Sequence, residues 1–217
     1  MFMQQIPTDQ LDRAASALEA GELVIVPTSR WYMICADATN APACRSIFEG
    51  KRRPAAKSLV LVTPSLADCE QRFVISDEAR RLAEAFWPGD LALLLPWRDA
   101  DEGARHSAVG TPALVTNSPG PLGMLASLTR TPIAATTVNI SGDAGIDARG
   151  PAISPEEVAD FLSLTGVKAT VILDGGVCPA ANHLTIIDCS TADARLVRAG
   201  LVHERAVEAV LGREILS

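Results

Sequence analysis

The sequence predicts an α/β fold built on a twisted, mixed parallel and antiparallel sheet with flanking helices. Helical patterns and short apolar strand patterns follow one another along all 217 residues, but they do not alternate strictly as in a doubly wound parallel sheet. Apolar residues make up 48% of the chain, enough for a sizeable core, and charged residues make up 21%, as in ordinary globular proteins. We therefore expect a single domain over residues 1–217.

In the first half of the chain, residues with capping and turn preferences bound each element. Gly21 and Gly50 follow two helical patterns at the position where a helix ends, and Pro88-Gly89 requires a turn before the next apolar run. The apolar runs are too short for helices and are typical of buried strands. The predicted helices begin at Thr8, Pro42 and Ser76, and the predicted strands are 23–26, 59–62 and 91–95.

The second half has the same character. The run from Ser154 to Glu157 is a capping box with Pro155 at the first helical position, which predicts a helix that ends near Leu164. Further helices are predicted over 122–128 and 203–211, and strands over 113–115, 132–137, 170–173, 184–188 and 195–198.

Charge, apolar runs and cysteine usage exclude several classes of protein. No apolar run is longer than six residues, whereas a membrane span needs about twenty. With no signal-peptide pattern at the N-terminus, the sequence predicts a cytoplasmic protein with no membrane association. Five cysteines without C-x-x-C spacing indicate buried, reduced thiols rather than a disulfide framework or zinc site, and no metal site is expected. A net charge of −7 argues against a whole-surface nucleic-acid binder but leaves a local basic cleft open.

Three segments could carry chemistry. The first is Lys51-Arg52-Arg53-Pro54, whose cations on a proline-restricted turn suit phosphate oxygens, although charge alone favours a solvated surface run. The second is the small polar run 135–142 after a predicted strand, either a ligand-binding strand end or an ordinary threonine-rich turn. The third, Asp174-Gly175-Gly176, is a strand-end turn and a weak signal alone.

Taken in order, these segments and three others resemble one known family. The others are the run 27–32, the run 86–91 and Val197-Arg198-Ala199-Gly200. Their order and spacing, from about Gly21 to Val202, resemble the YrdC-like family, which includes the threonylcarbamoyl-adenylate synthases of tRNA modification. The resemblance implies a sheet curved around a large, positively charged concave cleft.

The resemblance also implies a reaction. Family enzymes join L-threonine, bicarbonate and ATP into threonylcarbamoyl-AMP with release of pyrophosphate, and the product passes to proteins that modify adenosine 37 of tRNA. ATP is expected with Mg²⁺. The family's K-x-R signature falls on Lys51 and Arg53, which are the implied catalytic residues. Its S-x-N signature falls on Thr137 and Asn139 and its last-strand arginine on Arg198, the implied nucleotide-binding residues.

The amino-acid side of the site departs from the family pattern. The family's second threonine in P-T-[DE]-T-x-Y-G-L is Arg30 here, and its glycine is Met33. The arginine expected to hold the threonine carboxylate is Thr116, the serine of S-T-V-[VI]-D is Leu184, and the histidine expected near the end of the 59–62 strand is absent. The implied substrate-binding positions are Thr28, Arg30, Tyr32, Thr116 and Ser141.

These departures leave the function with alternatives. Arg30 either supplies the missing cation from another wall or is a surface residue beside a lost threonine pocket. The chain is accordingly either an enzyme that activates the carbamate of threonine or another small amine, or a non-catalytic relative that binds nucleotide or double-stranded RNA. A carbamoyl-transfer partner in a larger maturation pathway is a third, weaker alternative. The retained Lys51, Arg53, Asn139 and Arg198 favour nucleotide chemistry.

Overall fold

The computed structural model describes residues 3–54, 56–140, 150–179 and 182–216, and within them ten strands form one sheet. The strands are β1 (Gln4–Pro7), β2 (Leu23–Pro27), β3 (Tyr32–Asp37), β4 (Val60–Val62), β5 (Leu91–Leu95), β6 (Ala113–Thr116), β7 (Ile133–Thr137), β8 (Ala169–Asp174), β9 (Thr185–Asp188) and β10 (Arg195–Arg198). The α-helices are α1 (Leu11–Glu19), α2 (Ala41–Gly50), α3 (Leu66–Arg72), α4 (Asp77–Phe86), α5 (Ala100–Arg105), α6 (Gly120–Leu128), α7 (Pro155–Thr165) and α8 (Glu204–Leu211).

The sheet is mixed, as predicted. Its strand order is β1-β8-β2-β3-β7-β4-β6-β5-β9-β10. The β1/β8, β2/β8, β4/β6 and β5/β9 pairs are parallel, and the other five neighbouring pairs are antiparallel. The hairpin of β2 and β3 and the antiparallel β7 prevent a doubly wound arrangement, which requires parallel neighbours joined by crossover helices.

Both faces of the sheet carry helices, because the central strands are buried on both sides. Ile25, Ile34 and Leu93 point to one face and pack in a cluster with residues of α2, α4, α7 and α8. Val24 and Cys35 point to the other face and pack against α1 and α6. The contacts of α1 and α6 extend from β8 across β2 and β3 to β4. The same face continues across β6, β5, β9 and β10, and there it lines a cleft.

Most sequence-predicted elements are confirmed, with strand ends shifted by at most one residue. Ser76 and Ser154 are N-caps, accepting hydrogen bonds from Ala79 N at 3.1 Å and Glu157 N at 3.3 Å. The expected Thr8 cap is wrong: α1 begins at Leu11 after Gln10 and has no side-chain cap bond. Strands β1 and β3 and helices α3 and α5 were not predicted.

The sheet curves strongly, since residues at the ends of distant strands touch. Arg30, just before β3, forms an ion pair with Asp90, just before β5. Trp31 contacts His183, close to the start of β9, with ring centroids 5.0 Å apart. Strands β3 and β9 are five positions apart in the sheet, which would separate them by about 24 Å if the sheet were flat. The two contacts therefore close one end of a concave surface.

Candidate active site

The concave face forms a cleft of about 670 Å³, in the range of small-molecule sites. Its floor is apolar and comes from seven consecutive strands, β3 to β10 in the sheet order. Four cationic side chains line it, and among the described residues that line it none is Asp or Glu. The floor residues are Met33, Val60, Ala92, Leu94, Leu114, Ala135, Ile186 and Val197, and the cations are Arg30, Arg53, Lys57 and Arg198. Such a surface suits an anionic ligand with an apolar or aromatic body.

Lys51 lies behind the cleft rather than on it. It follows the last residue of α2, and its side chain is fully buried. The ammonium donates hydrogen bonds to the backbone carbonyls of Thr137 and Asn139, and to Asn139 Oδ1 at 3.1 Å. Burial, and secondarily the charge of Arg53, lowers the pKa of Lys51 to about 7. Three oxygen acceptors thus compensate a charge that has no carboxylate partner among the described residues.

Thr137 and Asn139 do line the cleft. Their turn is stabilised by Lys51 and by hydrogen bonds of its own side chains. Thr137 Oγ1 donates to Asn139 Oδ1 at 2.6 Å, and Asn139 Nδ2 donates to the carbonyl of Ile140 at 3.0 Å. The structure therefore brings together Lys51, Thr137 and Asn139, which the sequence placed in two separate motifs. Lys51 itself is not among the described residues that line the cleft.

Arg53 and Arg198 border the cleft directly. Arg53 donates hydrogen bonds to backbone carbonyls a few residues later in the chain, from Nε to Lys57 O at 2.8 Å and from Nη2 to Ser58 O. Arg198 donates from Nε and Nη2 to Leu184 O at 3.1 and 3.0 Å. Burial lowers the pKa of both guanidinium groups, which nonetheless stay charged. Each arginine is fixed by backbone carbonyls and keeps further N–H donors for a ligand.

Arg30 is a cleft residue and not a surface one, since it is only 5% exposed and lines the cleft. Its Nη1 pairs with Asp90, and its Nε has no hydrogen-bond partner among the described residues. Burial, and secondarily Arg198, lowers the pKa of its guanidinium. The structure thus contradicts a surface position for Arg30, and its role as a replacement cation stays a prediction.

Thr28, Tyr32 and Thr116, three further expected substrate-binding residues, are not among the described residues that line the cleft. Thr28 Oγ1 accepts from Arg30 N and donates to Trp31 O at 2.7 Å, which fixes the turn before β3. Tyr32 is fully buried, and its hydroxyl donates to Gly176 O at 2.8 Å. Thr116 Oγ1 donates to Leu91 O at 2.8 Å. All three hydroxyls form hydrogen bonds within the fold, so these residues support the strands and turns around the cleft and do not face it. Ser141 lies outside the described residues.

Three further cleft residues had no assigned role in the sequence analysis. Met33 and Leu184, noted there as departures from the family pattern, both line the cleft. His183 also lines it, against Trp31. A lone histidine just before a predicted strand carries no sequence pattern that could have identified it.

The cysteines carry no site in the described part of the chain. All five are free and buried, and burial raises the pKa of every thiol, to about 11 for Cys44 and about 12 for Cys69. No group of three or more His, Cys, Asp or Glu side chains among the described residues could hold a metal ion. The helices in this part of the chain are also too short or too polar to cross a membrane.

Comparisons with known proteins connect this geometry to one family. A family model for Sua5, YciO and YrdC, described as telomere recombination, matches residues 16–200. A threonylcarbamoyl-AMP synthase from Pyrococcus abyssi is 32% identical over 203 residues, 92% of this chain and 56% of that protein. One from Bacillus subtilis is 30% identical over 205 residues, 94% of this chain and 57% of that protein. The chain thus spans little more than half the length of these two relatives.

A shorter relative and two solved structures extend the comparison. A putative threonylcarbamoyl-AMP synthase from Mycobacterium tuberculosis is 29% identical over 208 residues, 94% of this chain and 90% of that protein. The structure of P. abyssi Sua5 complexed with L-threonine has a TM-score of 0.81 at 29% identity, covering 99% of this chain and 61% of that one. Escherichia coli YciO has a TM-score of 0.76 at 18% identity, covering 92% of this chain and 97% of that one, and supports the fold alone.

Proposed function

Since the chain belongs to the Sua5–YciO–YrdC family, we propose that it binds ATP in the cleft and uses it to adenylate the carbamate of a small amino acid. The product would be a carbamoyl-AMP adduct of the threonylcarbamoyl-AMP type, used by proteins that modify adenosine 37 of tRNA. The observation that carries this proposal is the placement of Arg53, Arg198, Thr137 and Asn139 around one cleft. These are the positions that the family signatures indicate for nucleotide.

The cations of the cleft suit the charge changes of this reaction. A carbamate oxygen attacks the α-phosphorus, a new P–O bond forms, and the bond to the bridging oxygen breaks as pyrophosphate leaves. Negative charge gathers on the phosphate oxygens, and fixed guanidinium groups such as Arg53 and Arg198 stabilise it without reorganising. Both are already anchored by backbone carbonyls, so little side-chain entropy is lost when a ligand binds.

Mg²⁺ would enter with the substrate. The described residues offer no cluster of carboxylates to hold it, so the phosphate oxygens of ATP would be its main ligands. Lys51 has a positioning role in this proposal, because its ammonium donates its hydrogen bonds to the turn of Thr137 and Asn139.

The amino acid is bound, in this proposal, near Arg30. Its guanidinium lines the cleft and has an unused Nε, so it offers a partner for a carboxylate where Thr116 offers none. Bicarbonate would supply the carbamate carbon.

RNA binding without catalysis is less well supported. The cations of the described cleft surround a cavity of about 670 Å³, a volume that suits a small molecule and not a duplex. A duplex would contact several phosphates over a wide surface, and its affinity would fall steeply with salt.

Calorimetry with ATP, and pyrophosphate release with ATP, bicarbonate and a panel of amino acids, test the proposed function. Replacing Arg53 by Ala should weaken ATP binding by about 1–3 kcal/mol, the range of hydrogen bonds to charged groups. Arg52→Ala is the matched control, because Arg52 is the exposed neighbour outside the cleft. Equal ATP affinity for the Arg53 variant and the control would refute the site, and the absence of amine-dependent pyrophosphate release would refute the reaction.

A further inference from the structure

Among the described residues that line the cleft, one side chain is suited to accepting a proton near neutral pH. Among the described residues that line it there is no Asp, Glu, Cys or Tyr, and its arginines stay protonated. His183 is the only imidazole there. Asp90 is the carboxylate paired with Arg30, but it is not among the residues that line the cleft.

The backbone holds His183 firmly at the edge of the cleft. Its carbonyl accepts a hydrogen bond from Leu201 N at 3.0 Å. A Cβ on Gly200 would lie 2.3 Å from the same carbonyl, so the chain after β10 approaches His183 as closely as only glycine permits. The imidazole rests against Trp31 with an interplanar angle of 57°. No hydrogen bond within the described part of the chain engages its ring nitrogens, so they are available to a ligand.

The surroundings of His183 disfavour its protonated form. Two guanidinium groups face it, Arg198 from β10 and Arg30 from the turn before β3. Burial, and after it the charges of Arg198 and Arg30, lowers the pKa of His183. A neutral imidazole between two cations can receive a proton, while the cations attract the carboxylate of an amino acid to the same place.

We propose that His183 is the catalytic base that takes a proton from the substrate ammonium as the carbamate forms. This inference rests on the proposed function. In the step, the amine nitrogen bonds to the carbon of bicarbonate, one C–O bond breaks and water leaves. The ammonium of the amino acid and bicarbonate together give the carbamate, water and one proton. That proton moves to a ring nitrogen of His183 and then to solvent.

Two variants separate proton acceptance from ring packing. His183→Phe keeps an aromatic ring against Trp31, and His183→Gln keeps a polar side chain. Neither can act as a base. We expect both to lower the rate of amine-dependent pyrophosphate release by about 10²–10⁴-fold, the usual contribution of a general base. ATP affinity should stay within about twofold, because the ring is not assigned to the phosphates. His203→Asn, at the exposed N-cap of α8 outside the cleft, is the control.

The dependence of the rate on pH distinguishes a catalytic base from a residue that only packs in the cleft. In the unaltered protein the rate should rise with pH through the lowered pKa of His183 and then level off, and in both variants this rise should be absent. A near-normal rate or an unchanged profile in His183→Phe would overturn the assignment and leave the proposed function standing. ATP binding with no pyrophosphate release from the unaltered protein, for any amino acid tested, would overturn both.

Discussion

Lys51 donates hydrogen bonds to both the backbone carbonyl and the side-chain oxygen of Asn139, the latter at 3.1 Å. The link joins the end of α2 to the turn after β7, 88 residues away in sequence. It fixes the direction of the Asn139 side chain, whose amide then donates to the carbonyl of Ile140. A buried lysine thereby fixes the shape of a turn that lines the cleft.

Replacing Lys51 by Met should lower both stability and ATP affinity. The substitution keeps an unbranched side chain, one atom shorter, but leaves the carbonyls of Thr137 and Asn139 without their donor. Each buried acceptor left unpaired costs about 1–3 kcal/mol, and we expect the free energy of unfolding to fall by at least that amount. Denaturant unfolding and ATP calorimetry measure the two effects. Lys168→Met, at an exposed lysine, should change neither, and a Lys51 variant as stable as this control would contradict the prediction.

The charge of Lys51 should also produce a pH dependence of stability. Burial lowers its pKa to about 7, from an ordinary value of 10.5. Below pH 7 both the folded and the unfolded chain carry the proton. Between about pH 7 and 10.5 the unfolded chain binds more protons than the folded one, so the contribution of this group to the free energy of unfolding rises with pH.

The Lys51→Met protein tests this sign. The difference in free energy of unfolding between the unaltered protein and the variant should grow from pH 7 to about pH 10. Titrations at fixed temperature measure it, with Lys168→Met again as reference. A difference that is constant or shrinks over this range would show that the ammonium stays protonated in its site.

The sequence predicts the elements better than it predicts which side chains meet in the cleft. Most strand bounds follow from short apolar runs rich in β-branched residues. Strand β3 was missed because only Tyr32 and Ile34 of Tyr32–Asp37 are residue types enriched in strands. The run of charges from Lys51 to Arg53 also does not indicate which side chains face the cleft. At the end of α2 the side chain of Lys51 is buried, whereas Arg52, at a φ of 48°, is exposed. Arg30 and His183 reach the cleft only through the curvature of the sheet, which no local pattern encodes.

Asp90→Asn should change stability and anion binding in opposite directions. Arg30 is buried and pairs with Asp90, whose side chain is 33% exposed. Removing the carboxylate leaves the buried guanidinium without its counter-charge, so we expect the free energy of unfolding to fall by roughly 1–3 kcal/mol. This is less than the loss expected for a fully buried ion pair, because Asp90 is partly exposed to solvent. Because the positive charge of Arg30 is then no longer neutralised by Asp90, it should bind a carboxylate more tightly.

Thermal unfolding and titration with the amino acid that supports turnover test this pair. Tighter binding with lower stability would support Arg30 as the carboxylate partner. Weaker binding in the Asp90 variant would show that the ion pair itself forms the subsite. Glu70→Gln, which removes an ion pair with Arg80 on the surface, is the control for general electrostatic effects.

The five thiols should be inert in the folded protein. Each is buried, and burial raises the pKa of all five, so little thiolate forms at neutral pH. A thiol reagent at pH 7 should label none of them until denaturant is added, after which all five should react. Mass spectrometry and a zinc assay measure this, and a native disulfide or stoichiometric zinc would refute the expectation.

Threonine should be a poor substrate. Arg30, Met33 and Leu184 line the cleft where the family pattern has small or polar residues, and Thr116 spends its hydroxyl on the backbone of Leu91. A threonine hydroxyl placed against Met33 or Leu184 loses its hydrogen bond to water without a replacement, which costs about 1–3 kcal/mol. We expect half-saturation by threonine in the millimolar range or weaker, corresponding to roughly −4 kcal/mol.

A variant of the cleft wall tests this explanation. Leu184→Ser adds a hydroxyl to the wall, so it should raise the rate with threonine relative to the rate with valine, the apolar isostere of threonine. Leu201→Ser, at an exposed leucine, is the control and should leave this ratio unchanged. Half-saturation by threonine at micromolar concentration in the unaltered protein, with rapid pyrophosphate release, would show that the altered cleft still accepts the family's usual substrate.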